Sequence, residues 1–172
     1  MEIADIPDLL PGDVLFYSPS ELVGLLIAIK TWTWLAHVES VWRDDDVVAA
    51  RINGVNIYSA RVDKHLVCIR RPHSFNVKNG HEAIRPFLGT PYEISALERF
   101  FNPWSKHRKA SRICSSIVTL YLRGGGIEPF NSRVDADEIA PAQLWQTGVL
   151  ETIWIKDGWL KRALKLHRPP PV

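Results

Sequence analysis

The stretch from Ala36 to Pro72 does most to limit what this chain can become. "AHVESVW" (Ala36 to Trp42) alternates, with Ala36, Val38, Ser40 and Trp42 on one side and His37, Glu39 and Val41 on the other. A period of two belongs to a strand, because a helix would scatter these side chains around its axis. Turn signals then follow at short intervals: "RDDD" (Arg43 to Asp46) and "NG" at Asn53-Gly54. Between them "VVAAR", "VNIYSA" and "HLVCIRRP" read as strands, the last stopped by Pro72. The pattern predicts an antiparallel meander with strands over 36–42, 47–51, 55–60 and 65–72.

The flanks add one strand before the meander and helices on both sides. "PGD" is a turn, and "VLFY" (Val14 to Tyr17) is a short buried strand. Ser18 or Ser20 can cap a helix over 20–32, with Pro19 in its first turn. A helix over 77–88 should end at Gly89, and a short one can start after Pro91. Ser111 is placed to cap a helix that carries Cys114 and stops at Gly124-Gly125-Gly126. A helix from Pro141 and a strand over 149–155 complete the order, which is that of an α+β fold. The 172 residues suit one domain over 1–165, followed by a proline-rich tail over 166–172.

Charge and cysteine content exclude several classes. The formal net charge is +2, too small for a polyanion binder, so no nucleic-acid partner is expected. The basic residues cluster locally: "KHRKASR" (Lys106 to Arg112) holds four Lys/Arg and one His with no acid. The two cysteines form no disulfide framework and no zinc spacing, so neither metal nor cofactor is expected. The start "MEIADIPDLLPGD" has no basic-then-apolar leader, which predicts a cytoplasmic protein. The longest apolar run, "LVGLLIAI" (Leu22 to Ile29), has eight residues, against about 20 for a membrane span. It could serve a buried or membrane-surface helix. Oligomeric state leaves no mark in the sequence.

Two segments carry residues suited to nucleophilic chemistry. With Ser111 as cap, Cys114 falls in a first helical turn, where free N–H groups and the helix dipole favour a thiolate. Lys106, Arg108, Lys109 and Arg112 lie just upstream. Taken alone, such a cysteine is more often a small packed hydrophobe. His37 and Glu39 share one side of a strand, as a base and the polar group that orients it would. Taken alone, they are more often simply neighbours on a solvated outer face. Cys68, inside a buried strand, reads as structural, and His81 as a surface helix residue.

The ordered series "PGDVLFYS", "AHVESVW", "NGVNIYS", "CIRRP", "LGTPYE" and "RICSSIV" resembles the circularly permuted NlpC-like papain-fold cysteine hydrolases. That group includes bacterial YiiX-like proteins and, more distantly, lecithin:retinol acyltransferase. The histidine segment precedes the cysteine segment here, as in the permuted group. The resemblance spans about Pro11 to Gln146. It implies a small antiparallel, barrel-like sheet with helices packed on one side. It also implies Cys114 as nucleophile, its helix packed on the sheet of His37, and Tyr92 near the site. Two positions depart from the family pattern. Ser116 stands where "CSELV" has a glutamate, which reads as loss of a structural or rim carboxylate. Ala49 stands where a third polar residue is common. Glu39 is the substitute, with Asn56 on the neighbouring strand as fallback.

The implied activity is cleavage of an amide or ester through an acyl-enzyme, without a cofactor. The bacterial or phage character of the group favours a cell-wall peptide of peptidoglycan, and with it a phage-encoded or virion-associated protein. The apolar helix and the Trp32/Trp34 pair also allow a lipid acyl group and peripheral membrane contact. A catalytically inactive binding module on the same fold is the other alternative. Lys109 and Arg112 are candidate contacts for a carboxylate or phosphate on the substrate.

Overall fold

The computed structural model, which describes residues 6–20, 34–91 and 113–159, holds a six-stranded sheet. Three strands of the expected meander are consecutive neighbours running to one edge, while the fourth, Leu66–Pro72, pairs with Val14–Tyr17 and so departs from the meander. Strands β1 (Val14–Tyr17), β2 (His37–Arg43), β3 (Asp46–Arg51), β4 (Gly54–Ser59), β5 (Leu66–Pro72) and β6 (Leu150–Ile155) lie in the order β4-β3-β2-β1-β5-β6. All neighbours are antiparallel. Asp44 turns the β2–β3 hairpin with φ 46°, a left-handed conformation that Asp tolerates better than most residues. Gly54 opens β4 with φ 101°, and a Cβ there would stand 2.5 Å from the Thr90 carbonyl oxygen. That oxygen accepts the Val55 N–H at 2.9 Å. The "NG" signal therefore marks both a turn and a docking point for the 88–90 loop.

The sheet is open, not barrel-like as the resemblance implies. β4 and β6 stand at opposite edges, and closure would require those two edges to pair. Helix α1 (Val77–Ile84) is capped by the Asn76 side chain, which accepts the Asn79 N–H. It ends sooner than expected because Pro86 has no N–H to continue the ladder, and a 3-10 turn over Arg85–Phe87 takes its place. Helix α2 (Cys114–Gly124) and the short α3 (Pro141–Gln146) follow.

Alternation along the strands builds two apolar faces. Val14, Phe16 and Val38 pack with Cys114, Val118 and Leu122 of α2. Val48, Ala50 and Val55 pack with Ile117 and Tyr121 on the same face. Leu15, Tyr17, Val41, Val47, Leu66 and Ile69 form the opposite face, covered in part by Ile6 and Leu9. The glycine run does more than stop α2. A Cβ on Gly124 would lie 2.4 Å from that of Ala83, and one on Gly125 2.0 Å from the Phe75 ring. Small residues let α1 and Phe75 close on the end of α2.

The cap of α2 differs from the expectation. Its N-cap is Ile113, in extended conformation and without a side-chain hydrogen bond, so Cys114 is the first helical residue. Ser111 lies outside the described residues, as do residues 21–32 of the expected first helix, the helix after Pro91, the basic loop and the tail over 166–172.

Candidate functional site

The first residue of β2 and the first residue of α2 meet. α2 packs across β2 and β3, so its N-terminus arrives where β2 begins. There the Cys114 sulfur accepts the backbone N–H groups of Val38 and Ser115 and interacts with the His37 ring. The apolar cap position has a consequence here. Ile113 offers no oxygen to the first N–H groups of α2, and the thiol takes one of them instead. Cys114 is 5% exposed and the His37 side chain 22%, so the ring is the part of the pair that solvent can reach.

His37 Nε2 lies 2.9 Å from Glu39 Oε1. An ionised carboxylate only accepts, so Nε2 carries the hydrogen and Nδ1 is left to face the thiol. The electrostatics are mutual. Burial works against a charged ring, but the Cys114 sulfur and then Glu39 outweigh it and raise His37 to about 9. Burial likewise opposes a thiolate, yet His37 and the two N–H groups lower Cys114 below the usual thiol value. The site thus favours a thiolate beside an imidazolium.

Glu39 is completely buried, which rules out the solvated outer face that the sequence allowed. Its charge is sustained by neighbours that the sequence did not single out. Arg51 donates from Nε to Oε1 at 2.7 Å and from Nη2 to Oε2 at 2.9 Å. Tyr17 Oη donates to Oε2 at 3.2 Å, and Arg61 Nη2 stands 3.6 Å from Oε1. Burial alone would raise this carboxyl, but hydrogen bonds from His37 and Arg51 hold it down to about 2. Tyr17 is raised above the ordinary phenol range by burial and then by the Glu39 charge. The available signal for Arg51 was a charge at the end of "VVAAR", on the Val47–Ala49 side of that strand.

The remaining candidates separate cleanly. Asn56 pairs with Ala49 in the sheet, while the carboxylate bonded to His37 is that of Glu39. Ser116 is fully buried, so a carboxylate there would sit in the interior and not at a rim. Cys68 is buried and free, and burial pushes it up to about 11. His81 is no simple surface residue: its ring stacks on Trp42 at 3.5 Å and its Nε2 lies 3.0 Å from the Trp42 carbonyl oxygen. Asp13 of "PGD" is a structural anchor that accepts both Arg71 nitrogens and the Leu10 N–H. Tyr92, Lys109 and Arg112 lie outside the described residues.

Among the described residues no helix is long and apolar enough to cross a membrane. No group of three or more His, Cys, Asp or Glu among them could hold a metal ion. No family model matches the chain, and no curated protein does. Among solved structures it is similar to the crystal structure of the metalloprotein YiiX from Escherichia coli O157:H7. That likeness has a TM-score of 0.56 at 13% identity and covers 87% of this chain and 99% of the other. At that identity the likeness is one of architecture: this chain has a YiiX-like α+β fold with an open antiparallel sheet.

Proposed function

We propose that the protein is a cysteine hydrolase of the permuted NlpC-like papain type, with Cys114 as nucleophile, His37 as base and Glu39 as the group that orients the imidazole. The observation that carries this reading is the position of His37 between the Cys114 thiol and the Glu39 carboxylate. The thiol proton passes to His37 Nδ1, and the thiolate attacks a carbonyl carbon. The backbone N–H of Cys114, at the open end of α2, is one donor for the oxyanion. The leaving amine or alcohol takes the proton from His37, which leaves a thioester on Cys114. Water, deprotonated by His37, then releases the acid and restores the thiol. The structural neighbour YiiX is a metalloprotein, and no step of this scheme calls on a metal.

The preferred substrate is a stem-peptide amide of the peptidoglycan class, a choice that rests on the sequence resemblance. A lipid-type acyl group is the second reading, favoured by Trp34, which is 45% exposed only three residues before His37. The test is to incubate the protein with stem-peptide fragments and, in parallel, with long-chain acyl esters, and to search by intact mass for an acyl adduct. An adduct on Cys114 that is absent in Cys114→Ala supports the hydrolase and identifies the class. Product formation that persists in Cys114→Ala refutes the mechanism. A protein that binds fragments without adduct or turnover would be the inactive module.

A further inference from the structure

Glu39 has two arginine neighbours, and they hold it differently. Arg51 is 18% exposed and contacts both carboxylate oxygens in the parallel, two-pronged geometry that only a guanidinium offers. Arg51 is itself fixed from β4: its guanidinium lies 4.4 Å over the Tyr58 ring, and Nη2 also donates to the Ser59 carbonyl at 3.2 Å. Arg61 is 44% exposed and approaches one oxygen at 3.6 Å. It supplies charge without direction.

We propose that Arg51 is a positioning residue: by gripping both oxygens of Glu39 it keeps Oε1 opposite His37 Nε2, and so locks the imidazole in the tautomer whose Nδ1 can accept the Cys114 proton. A glutamate tied only to a histidine can swing its carboxylate out of line with Nε2, since a single hydrogen bond fixes one oxygen and leaves the broad last torsion free. The Arg51 fork removes that freedom, and the Tyr17 hydroxyl on Oε2 closes the remaining side. With the grip lost, the ring can carry its hydrogen on Nδ1, and that form cannot take a proton from the thiol. The inference rests on the proposed hydrolase, where it names a residue that acts through Glu39 without touching substrate.

The test reads the tautomer directly. The full chain with 15N-labelled histidine is prepared in a Cys114→Ala background, so that the neutral His37 ring is observed without a thiolate beside it. The expected result is a single Nε2–H form with Arg51 present, and at least about a fivefold fall in the Nε2–H to Nδ1–H ratio in Arg51→Gln, toward that of the exposed His73. Arg61→Gln should leave the ratio within about twofold of the parent, because it removes charge and no fork. An unchanged ratio in Arg51→Gln, or an equal fall in Arg61→Gln, overturns the proposal. Should Arg51→Gln fail to fold, Arg51→Lys keeps the charge and loses the fork. Its ratio should also fall, and an unchanged one overturns the proposal. Iodoacetamide labelling of the unmutated protein separates this from the parent reading. An ordinary Cys114 reactivity with a locked His37 tautomer refutes the hydrolase alone.

Discussion

Cys68 and Cys114 sit in the same core cluster, and both are almost fully buried. Their thiols are driven in opposite directions. Around Cys68 burial dominates, and the thiol is pushed up to about 11. Around Cys114 burial also opposes the thiolate, but His37 and two backbone N–H groups reverse it. The lesson is that burial by itself says little about a cysteine. What matters is whether cations and donors at the sulfur outweigh desolvation: Arg70, Trp145 and Thr152 only partly offset it at Cys68, whereas His37 and two backbone N–H groups overcome it at Cys114. Cys68 lies in mid-strand, where backbone donors are committed to the ladder. Cys114 lies at a helix start, where they are free.

The largest expected effect would break the comparison outright. At pH 6, iodoacetamide should modify Cys114 at least about 100-fold faster than Cys68, since the Cys114 thiol lies below its ordinary value, the Cys68 thiol is pushed up to about 11, and each unit of pKa changes the thiolate fraction tenfold below the pKa. Peptide mass mapping measures both sites in one sample, and comparable rates would mean that the environments do not differ as described. Next, His37→Ala should slow Cys114 labelling at pH 6 by about 100-fold and leave Cys68 unchanged, because only one thiol has lost its cation. The same assay in the variant decides it.

A smaller effect is expected in stability. Glu39→Gln should cost about 2 kcal/mol in denaturant unfolding near neutral pH, because the Arg51 and His37 donors lose a charged acceptor. The pH dependence has a definite sign. Glu39 is held below its ordinary value, so its contribution is present above about pH 4 and is lost as pH falls toward 2. The gap between wild type and Glu39→Gln should close over that range, and a gap independent of pH would point to packing alone. The smallest effect is Cys68→Ala, which should cost about 1–2 kcal/mol through lost packing. Cys114 labelling should stay within about twofold of wild type. A large change there would tie the two cysteines together and undo the contrast.

The comparison also shows how far the sequence could be read. The six strands followed from period-two alternation and turn residues, because both are local properties, and each strand limit lies within one residue of expectation. The pairing of His37 with Glu39 was legible for the same reason: two positions apart on a strand is one side. The Arg51 and Arg61 contacts were not legible, since they depend on strand register and on long side chains that cross a sheet face. The cap of α2 was misplaced at Ser111 because a polar residue is the usual start signal. Here an extended Ile113 leaves that role empty and the thiol benefits. The open sheet could not be told from a barrel-like one, since closure depends on edges far apart in sequence.

The central claim is that Cys114 is held as a thiolate by His37. Its most direct test is the rate of Cys114 alkylation by iodoacetamide across pH 4 to pH 10, with Cys68→Ala used to remove the second thiol. The account predicts appreciable reaction that persists well below the ordinary thiol pKa of about 8.5. A single rise centred at or above about 8.5, as for an unassisted thiol, would contradict it.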